Sequence, residues 1–564
     1  ERGAPPFDVY DQSPSAQARQ FGYNCDYVSV QPIPGKPGRF ALFVNHEYTD
    51  DYLMFPTGQY TGNQIRRIAM MAMGLSVVEI ERGARAGSYR RVPVRDTTVN
   101  RRFTLSTPFE VTGPAAGERR LRTTADPTGT RVLGTMNNCA GGYTPWGTVL
   151  SGEENFNLYF EASDGLDPTY ADSYERYGIT EVTDPSLLWY RVDPRFDLSQ
   201  EPHEPFRFGW VVEVDPLDPE STPKKRTMLG RFKHEGATVV LSADGRVVLY
   251  SGDDERGDYM YRFVSRLKYR DGDTAADRRH NMRLLDHGTL SVARLRDEAE
   301  DPAPEYDGVG RWIPLCTDEE SYVDGFSVAD VLIDTRLAAD AVRPTRMDRP
   351  EDIEVNPVNG RIYAALTNND ERGTELPTDE ANPLDSSYVR EEPGGPLVAA
   401  DGNNNGYVLE MTPRGDDHGS DRFDWVLMLV CGDPEAPETY FAGYPKDRVS
   451  PISCPDNVTF DGRGNLWVAT DGNAIGSNDG LFAVPTDGAE RGKVQQFLTV
   501  PVGAETCGPL ISRDGRTVFT AVQHPGEVDG ATFEDPASTW PHTTRYPIPS
   551  VIVTYRVDGQ RIGR

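Results

Sequence analysis

The chain has 564 residues, and its 54 glycines and 44 prolines lie at turns between short apolar runs rather than in low-complexity tracts. This pattern argues against long helical bundles and coiled coils. With 58 basic and 88 acidic side chains the formal charge is −30, which argues against nucleic-acid binding through a basic surface.

The sequence gives little sign of a membrane segment or of a disulfide scaffold. No stretch approaches the length of apolar sequence that a spanning helix needs, so we expect no membrane contact. The first residues, from Glu1 to Pro6, contain neither a basic nor an apolar signal region, and we expect any export signal to have been removed. The 6 cysteines are too few for a disulfide scaffold. Nothing suggests a long unpaired edge strand, so we expect a monomer.

A repeated unit recurs along the chain, and each copy is predicted to contain a β-hairpin. The unit consists of a short polar motif, a β-branched run, an Asp-Gly, Asn-Gly or similar turn, a second apolar run and a polar end. Asp-Gly between apolar runs is a strong hairpin signal, because glycine tolerates the positive φ of the turn. Full copies begin near Asn138, His234, Pro350, Cys454 and Thr506, and a partial copy begins at Arg39.

Hairpins that recur in this way are typical of β-propeller blades. We therefore predict an all-β fold, a six-bladed β-propeller forming a single domain over residues 1–564. Two stacked β-sandwiches are the alternative, although they would not require each polar end to recur at the same distance from its turn. Insertions between strands are predicted as helices near 60–80 and 325–342 and as loops near 110–130 and 376–401, the last with the composition of a lid.

In a propeller the polar ends of these units converge, because the first strand of every blade lines one central channel. Four candidate ligands precede the turn of their unit by similar distances, namely Cys139, Glu235, Glu351 and Asp456. Others end the following strand, namely Glu153, Glu154, Asp253, Glu255 and Asp471. So many carboxylates repel one another unless protons or cations neutralise them. Carboxylates favour hard cations such as Ca²⁺, Mg²⁺ or ferric iron, and a thiolate among them indicates a transition ion.

Individual residues in this set allow more than one interpretation. Arg349 lies beside Glu351, and its planar fork can hold phosphate oxygens or form a salt bridge behind the ligands. Cys139 alone would more often be a small buried hydrophobe, although its polar, glycine-rich neighbours are less typical of a core. The run from Asp253 to Glu255 can equally be a solvated hairpin end. The sequence contains no nucleophile elbow, phosphate-binding loop, dinucleotide fingerprint or zinc-protease motif.

Taken together, the motifs resemble those of the PhoX-type alkaline phosphatases, over roughly residues 20 to 530. The matching motifs, in the order found in that family, are Asn45-His46-Glu47, Asn138-Cys139-Ala140-Gly141-Gly142, Gly152-Glu153-Glu154-Asn155, His234-Glu235-Gly236-Ala237, Tyr250-Ser251-Gly252-Asp253-Asp254, Arg349-Pro350-Glu351, Thr367-Asn368-Asn369 and Gln523-His524-Pro525-Gly526. The chain departs from the family at Asp352-Ile353-Glu354, where many relatives have an aromatic and an apolar residue.

The resemblance implies hydrolysis of small phosphomonoesters with release of inorganic phosphate, export by a twin-arginine signal, and a periplasmic or extracellular location. It implies Fe³⁺ and Ca²⁺ on the channel axis. By the same resemblance the catalytic set is Cys139, Glu154, Glu235 and Glu351 as cluster ligands, with Arg349 contacting phosphate. Further metal-ligand candidates are Glu47, Glu153, Asp253, Glu255 and Asp456. The alternatives are a calcium-dependent lactonase-like propeller, which needs no thiolate, a phosphodiesterase or phytase, and a non-enzymatic calcium-binding propeller.

Overall fold

The computed structural model describes residues 1–296, 306–542 and 544–563, and the protein is mostly β. The first sheet contains the strands β1 (Cys25–Pro32), β2 (Arg39–His46), β3 (Gly74–Arg82), β4 (Tyr89–Arg91) and β5 (Arg101–Phe103). The second sheet contains β6 (Pro108–Thr112), β7 (Arg131–Leu133), β8 (Asn138–Tyr143), β9 (Val149–Glu153), β10 (Val211–Val214) and β11 (Lys224–Arg226).

Later strands form one large sheet, one hairpin and two smaller sheets. The large sheet begins with β12 (Thr238–Leu241), β13 (Arg246–Gly252), β14 (Met260–Lys268), β15 (Gly288–Arg296), β16 (Asp307–Thr317), β17 (Pro350–Val355) and β18 (Ile362–Leu366). After the hairpin of β19 (Ser386–Val389) and β20 (Val398–Asp401), it continues with β21 (Tyr407–Pro413), β22 (Arg422–Val430) and β23 (Tyr440–Phe441). The smaller sheets contain β24 (Pro455–Phe460), β25 (Leu466–Thr470), β26 (Gly480–Val484) and β27 (Gln495–Thr499), and then β28 (Glu505–Ile511), β29 (Thr517–Gln523) and β30 (Ser550–Tyr555).

The first strands of the repeated units contact one another in a closed ring. In order around the ring these strands are β1, β8, β12, β17, β24 and β28, and β28 contacts β1 again. Each ring strand pairs antiparallel with the next strand of its own unit, and further strands follow outward. The turns at Gly245, Gly360, Gly462 and Gly515 join a ring strand to its partner, which confirms the hairpins predicted there.

Short helices lie between the strands. They are α1 (Pro14–Gln17), α2 (Asp51–Met54), α3 (Gly62–Ala72), α4 (Ala171–Arg176), α5 (Ala275–Asn281), α6 (Val328–Ile333) and α7 (Thr335–Val342). Thr61 and Gln64 form a capping box at the start of α3, and Ser327 and Asp330 form one at the start of α6. The helices predicted from spacing in these two segments are therefore confirmed. Within the described residues, no helix is both long and apolar enough to cross a membrane.

Two segments differ from the sequence-based expectation. Residues 376–401, predicted as a loop without strands, contain the hairpin β19–β20, so that prediction is wrong in part. The connection from β9 to β10 was not predicted as an insertion, yet it contains α4 and several 3₁₀ turns. Its aromatic side chains, among them Phe156, Trp189 and Phe206, are fully buried in the largest apolar core. Burial of such large side chains gives this insertion a stabilising role.

Gly142 allows the ring strands β8 and β12 to approach closely. A Cβ atom at this position would lie 1.9 Å from the carbonyl oxygen of Ala237. We expect Gly142→Ala to lower the free energy of unfolding by about 1–3 kcal/mol, because the backbone would have to move to admit the methyl group. Gly462→Ala is the matched control, since a Cβ there meets no atom within 4 Å. Denaturant unfolding compares the two variants, and equal stability would contradict this close contact.

Candidate metal centre

Most of the ring strands carry an ionisable side chain at the same structural position. In β1, β8, β17 and β24 the pairing register shifts directly after the first paired residue, which forms a β-bulge. A bulge leaves a residue outside the ladder and re-aims its side chain. The residues that follow the first pair are Asp26, Cys139, Glu351 and Asp456, and Glu235 occupies the matching place before β12. In β28 the register shift comes later, between Cys507 and Leu510.

The backbone before these bulges is held in an uncommon conformation. Asn24, Asn137, Arg349 and Cys454 directly precede their ring strands and have φ values of +29°, +48°, +51° and +51°. A positive φ in a residue other than glycine persists only where surrounding contacts fix it. The carbonyl oxygens of these residues accept hydrogen bonds from the residues that follow the second strand of each unit, which are Glu47, Glu154, Thr367 and Asp471. The same contact therefore places these residues beside the bulges. The bulge residues form a first tier of side chains, and the residues after the second strands form a second tier.

The two tiers meet in a continuous buried cluster. Its ligand atoms form three groups, each within 4.8 Å: Asp26, Glu47 and Cys139; Cys139, Glu154 and Glu235; Glu235, Glu351 and Asp456. Cys139 and Glu235 each belong to two groups, so the groups share their corners. Every member is buried. The structure thus brings together Glu47, Cys139, Glu154, Glu235, Glu351 and Asp456 of the predicted ligands, and it adds Asp26.

The chemistry of the cluster fits bound metal cations, because several of its buried acidic groups would otherwise lack partners. Both carboxylate oxygens of Asp26, Oε2 of Glu235 and Oδ2 of Asp456 are buried without a hydrogen-bond partner in the described chain. Burial, followed by the charges of neighbouring carboxylates, raises the pKa of Asp26, Glu235 and Asp456 well above the ordinary value. Burial and Asp26 likewise raise the pKa of the Cys139 thiol. Hard cations together with one thiolate-accepting transition metal match this donor set.

Four predicted ligands lie outside these groups, namely Asp471 and three that are each paired with a basic side chain of the protein. Glu153 forms a fully buried ion pair with Lys225 at 2.6 Å. Oδ2 of Asp253 accepts a hydrogen bond at 2.9 Å from Nε of Arg336, which lies on α7. Glu255 lies 2.8 Å from the Nζ of Lys233. Successive residues of a strand point to opposite sides, so Glu153 points away from the cluster when Glu154 points into it.

Arg349 lies at the edge of the cluster and is oriented by a bidentate ion pair. Its Nε and Nη2 each donate to a carboxylate oxygen of Asp254 at 2.8 Å, and Nη2 also lies 3.1 Å from Oε1 of Glu351. Its Nη1 donates to no residue in the described part of the chain, and the side chain is 23% exposed. The fork is thus fixed on one side and available on the other.

Sequence reasoning missed Asp26 and assigned no role to His524, although His524 stands in one of the matching motifs. Asp26 was not predicted because its strand is followed by a Pro-Gly turn rather than by Asp-Gly. The first repeated unit was therefore taken to start at Arg39. The polar residues before Val28 were the signal that could have identified Asp26. His524 lies between Glu505 and Glu527, at 3.2 and 3.3 Å. Although burial lowers it, the hydrogen bond and charge of Glu505 raise the pKa of His524 to about 10, so this side chain is a cation at neutral pH.

Comparison with known proteins shows which proteins the chain is similar to. Residues 1–526 match the family model described as alkaline phosphatase PhoX. The structure of Pseudomonas fluorescens PhoX in complex with vanadate, a transition-state analogue, is 38% identical, with a TM-score of 0.84 over 100% of this chain and 93% of that chain. A protein of unknown function from Dyadobacter fermentans is 9% identical, with a TM-score of 0.37 over 95% of this chain and 96% of that one. No curated protein matches the chain.

The cluster makes stability depend on pH once metal is removed. Unfolded carboxyl groups titrate near a pKa of about 4, whereas burial raises their pKa in the folded, metal-free protein. Folding then favours the protonated form, so this contribution is present at low pH and is lost as the pH rises toward the folded pKa. We expect chelated protein to unfold at a lower temperature at about pH 8 than at about pH 5. Metal-loaded protein is the control and should show a weaker dependence; a chelated protein more stable at the higher pH would contradict this.

Proposed function

Since the chain belongs to the PhoX family of alkaline phosphatases and is a phosphoric monoester hydrolase, we propose that the shared-corner cluster holds the metal ions of its active site. The observation that carries this proposal is the set of buried ligand oxygens without partners around Cys139. The residues that would hold the metal are Asp26, Glu47, Cys139, Glu154, Glu235, Glu351 and Asp456. Fe³⁺ and Ca²⁺ suit these ligands, because the thiolate favours a transition ion and the carboxylates accept both.

The metal ions, when bound, supply positive charge to the phosphate and Lewis-acid activation of the attacking water. That positive charge also allows a chain with a net charge of −30 to attract a dianion. The protein's own residues then bind and orient the substrate. We assign Arg349 to a phosphate oxygen, through the Nη1 group that Asp254 leaves free. Asp254 is a positioning residue, because its bidentate contact fixes the plane of the guanidinium group.

The proposed architecture is a six-bladed β-propeller that forms a single domain. The closed ring of first strands, with antiparallel strands following outward from each, supports it. In this arrangement the bulges of the ring strands gather the ligands at one end of the axis, which is where a propeller places residues that are distant in sequence. The segments near 60–80, 110–130, 325–342 and 376–401 are then insertions between strands or blades.

Membership of the PhoX family supports a periplasmic or extracellular location for the enzyme, reached by twin-arginine export. Small phosphomonoesters are its proposed substrates. We also propose that it acts as a monomer, because surfaces with a large charge of one sign repel one another.

The thiol of Cys139 gives the most selective test of the metal assignment. Cys139→Ala is expected to reduce hydrolysis of p-nitrophenyl phosphate to background and to lower the bound iron, because the thiolate is the soft ligand of the cluster. Cys316→Ala is the matched control, since it removes another buried thiol that belongs to none of the three groups. Phosphatase assays and elemental analysis are made on the same samples. A Cys139→Ala protein that loses its metal and keeps full turnover would refute the assignment.

The role of Arg349 is tested separately. Arg349→Met should lower kcat/KM for phosphomonoesters by about 100-fold, the usual loss when a group that stabilises transition-state charge is removed. Arg349→Lys should recover part of this loss, because it keeps the charge without the planar fork. The metal content of both variants serves as the control. An unchanged kcat/KM in Arg349→Met would contradict the role of Arg349 in phosphate binding, and its salt bridge would then be its only function.

A further inference from the structure

Next to the metal cluster, the ring strands line a cavity of about 240 Å³. Its lining includes Tyr27 and Ala140, which follow the bulge position in their strands, and none of the cluster ligands. Asn457 also lines this cavity and contacts the cluster, since its Nδ2 donates to Oε1 of Glu235 at 3.2 Å. Its Oδ1 accepts the backbone N–H of Gly508 at 2.8 Å. The Asn457 side chain therefore lies between the two sites.

Two carboxylates from one strand line this cavity. Asp352 and Glu354 are two residues apart on β17, so they lie on the same side of the strand. Oδ2 of Asp352 accepts the N–H of Val458 at 3.2 Å, and Oε1 of Glu354 accepts the hydroxyl of Thr238 at 3.0 Å. Asp352 is only 6% exposed, and its Oδ1 is buried without a hydrogen-bond partner in the described chain.

No positive charge of the protein balances this carboxylate pair. None of the residues lining the cavity is lysine, arginine or histidine, and neither carboxylate forms an ion pair within the described residues. Two anions in such a place repel each other and lose hydration, so a proton or a cation has to compensate. Oδ1 of Asp352 also packs closely against Gly236, because a Cβ there would lie 2.6 Å from this oxygen.

We propose that this cavity binds one hard divalent cation of the calcium class between Asp352 and Glu354, separate from the catalytic cluster. The residues that line the cavity carry carboxylate, hydroxyl and amide oxygens, and Tyr27, Thr238 and Asn457 are among those with neutral ones. Calcium takes six to eight oxygen ligands, some of them from water, in flexible geometry. No cysteine or histidine lines the cavity, which disfavours zinc and softer metals.

Such an ion would have a structural role. Asp352 and Glu354 belong to β17, while Thr238 belongs to β12, so the ion would connect neighbouring strands of the ring through the axis. This site does not depend on which metals occupy the catalytic cluster.

Elemental analysis of the holoenzyme tests the proposal. The double variant Asp352→Asn/Glu354→Gln is expected to hold one calcium ion fewer per chain than the wild type, with its iron unchanged. Glu175→Gln, which removes an exposed carboxylate on α4, is the matched control and should lose none. An unchanged calcium count would overturn the proposal, because the carboxylates would then share a proton. Joint loss of iron and calcium would also overturn the proposal, since Asp352 and Glu354 would then be required for metal binding in the catalytic cluster.

A spectroscopic measurement covers the case in which the double variant does not fold. Tb³⁺ is added to calcium-loaded holoenzyme and excited through tyrosine, because Tyr27 lines the cavity. The emission is expected to fall at least fivefold both in Asp352→Asn, which loses the ion, and in Tyr27→Phe/Tyr143→Phe, which keeps both carboxylates and removes the two tyrosines that line the cavity. Wild-type emission from Asp352→Asn would overturn the proposal. Phosphatase activity is not the readout, so a failure here is distinct from a failure of the proposed function.

Discussion

Mutual repulsion of buried anionic side chains is the constraint on which the rest of this structure depends. The cluster gathers carboxylates and one thiol into shared-corner groups within 4.8 Å, with every member buried. Burial and neighbouring charge together raise the pKa of its acids, which favours their protonated form unless cations compensate the charge. A fold that keeps such groups together uses the free energy of metal binding as part of its own stability.

Basic side chains of the protein neutralise the acidic residues next to the ligands, whereas among the described residues Glu351 is the one cluster carboxylate with an ion-pair partner, Arg349. Lys225 pairs with Glu153, whereas the adjacent Glu154 belongs to the cluster. Arg336 pairs in the same way with Asp253. Arg336 lies on α7, a helix between β16 and β17. Its ion pair with Asp253 therefore ties this helix to the end of β13. This division keeps most basic side chains away from the proposed metal ligands, and within the described residues Arg349 is the exception, since it pairs with both Asp254 and Glu351.

Much of the fold follows from local sequence, because Asp-Gly and Asn-Gly turns between apolar runs determine hairpins without help from the rest of the chain. The aromatic connection between β9 and β10 was not predicted, since its short 3₁₀ turns have no helical or strand periodicity. At the site, which of two adjacent acidic residues faces the cluster depends on strand register. That register is set by bulges, and a bulge is a tertiary feature; for this reason the sequence did not distinguish Glu153, which pairs with Lys225, from Glu154, which lies in the cluster.

Native mass spectrometry of an active preparation tests the central claim most directly, since it weighs the folded protein with its bound ions. The account predicts the mass of one 62.6 kDa chain plus several metal ions that correspond to iron and calcium. Chelation should remove this additional mass and the activity together. A fully active sample with the mass of the bare polypeptide would contradict the account, because the enzyme would then work without metal ions to neutralise its buried acidic groups.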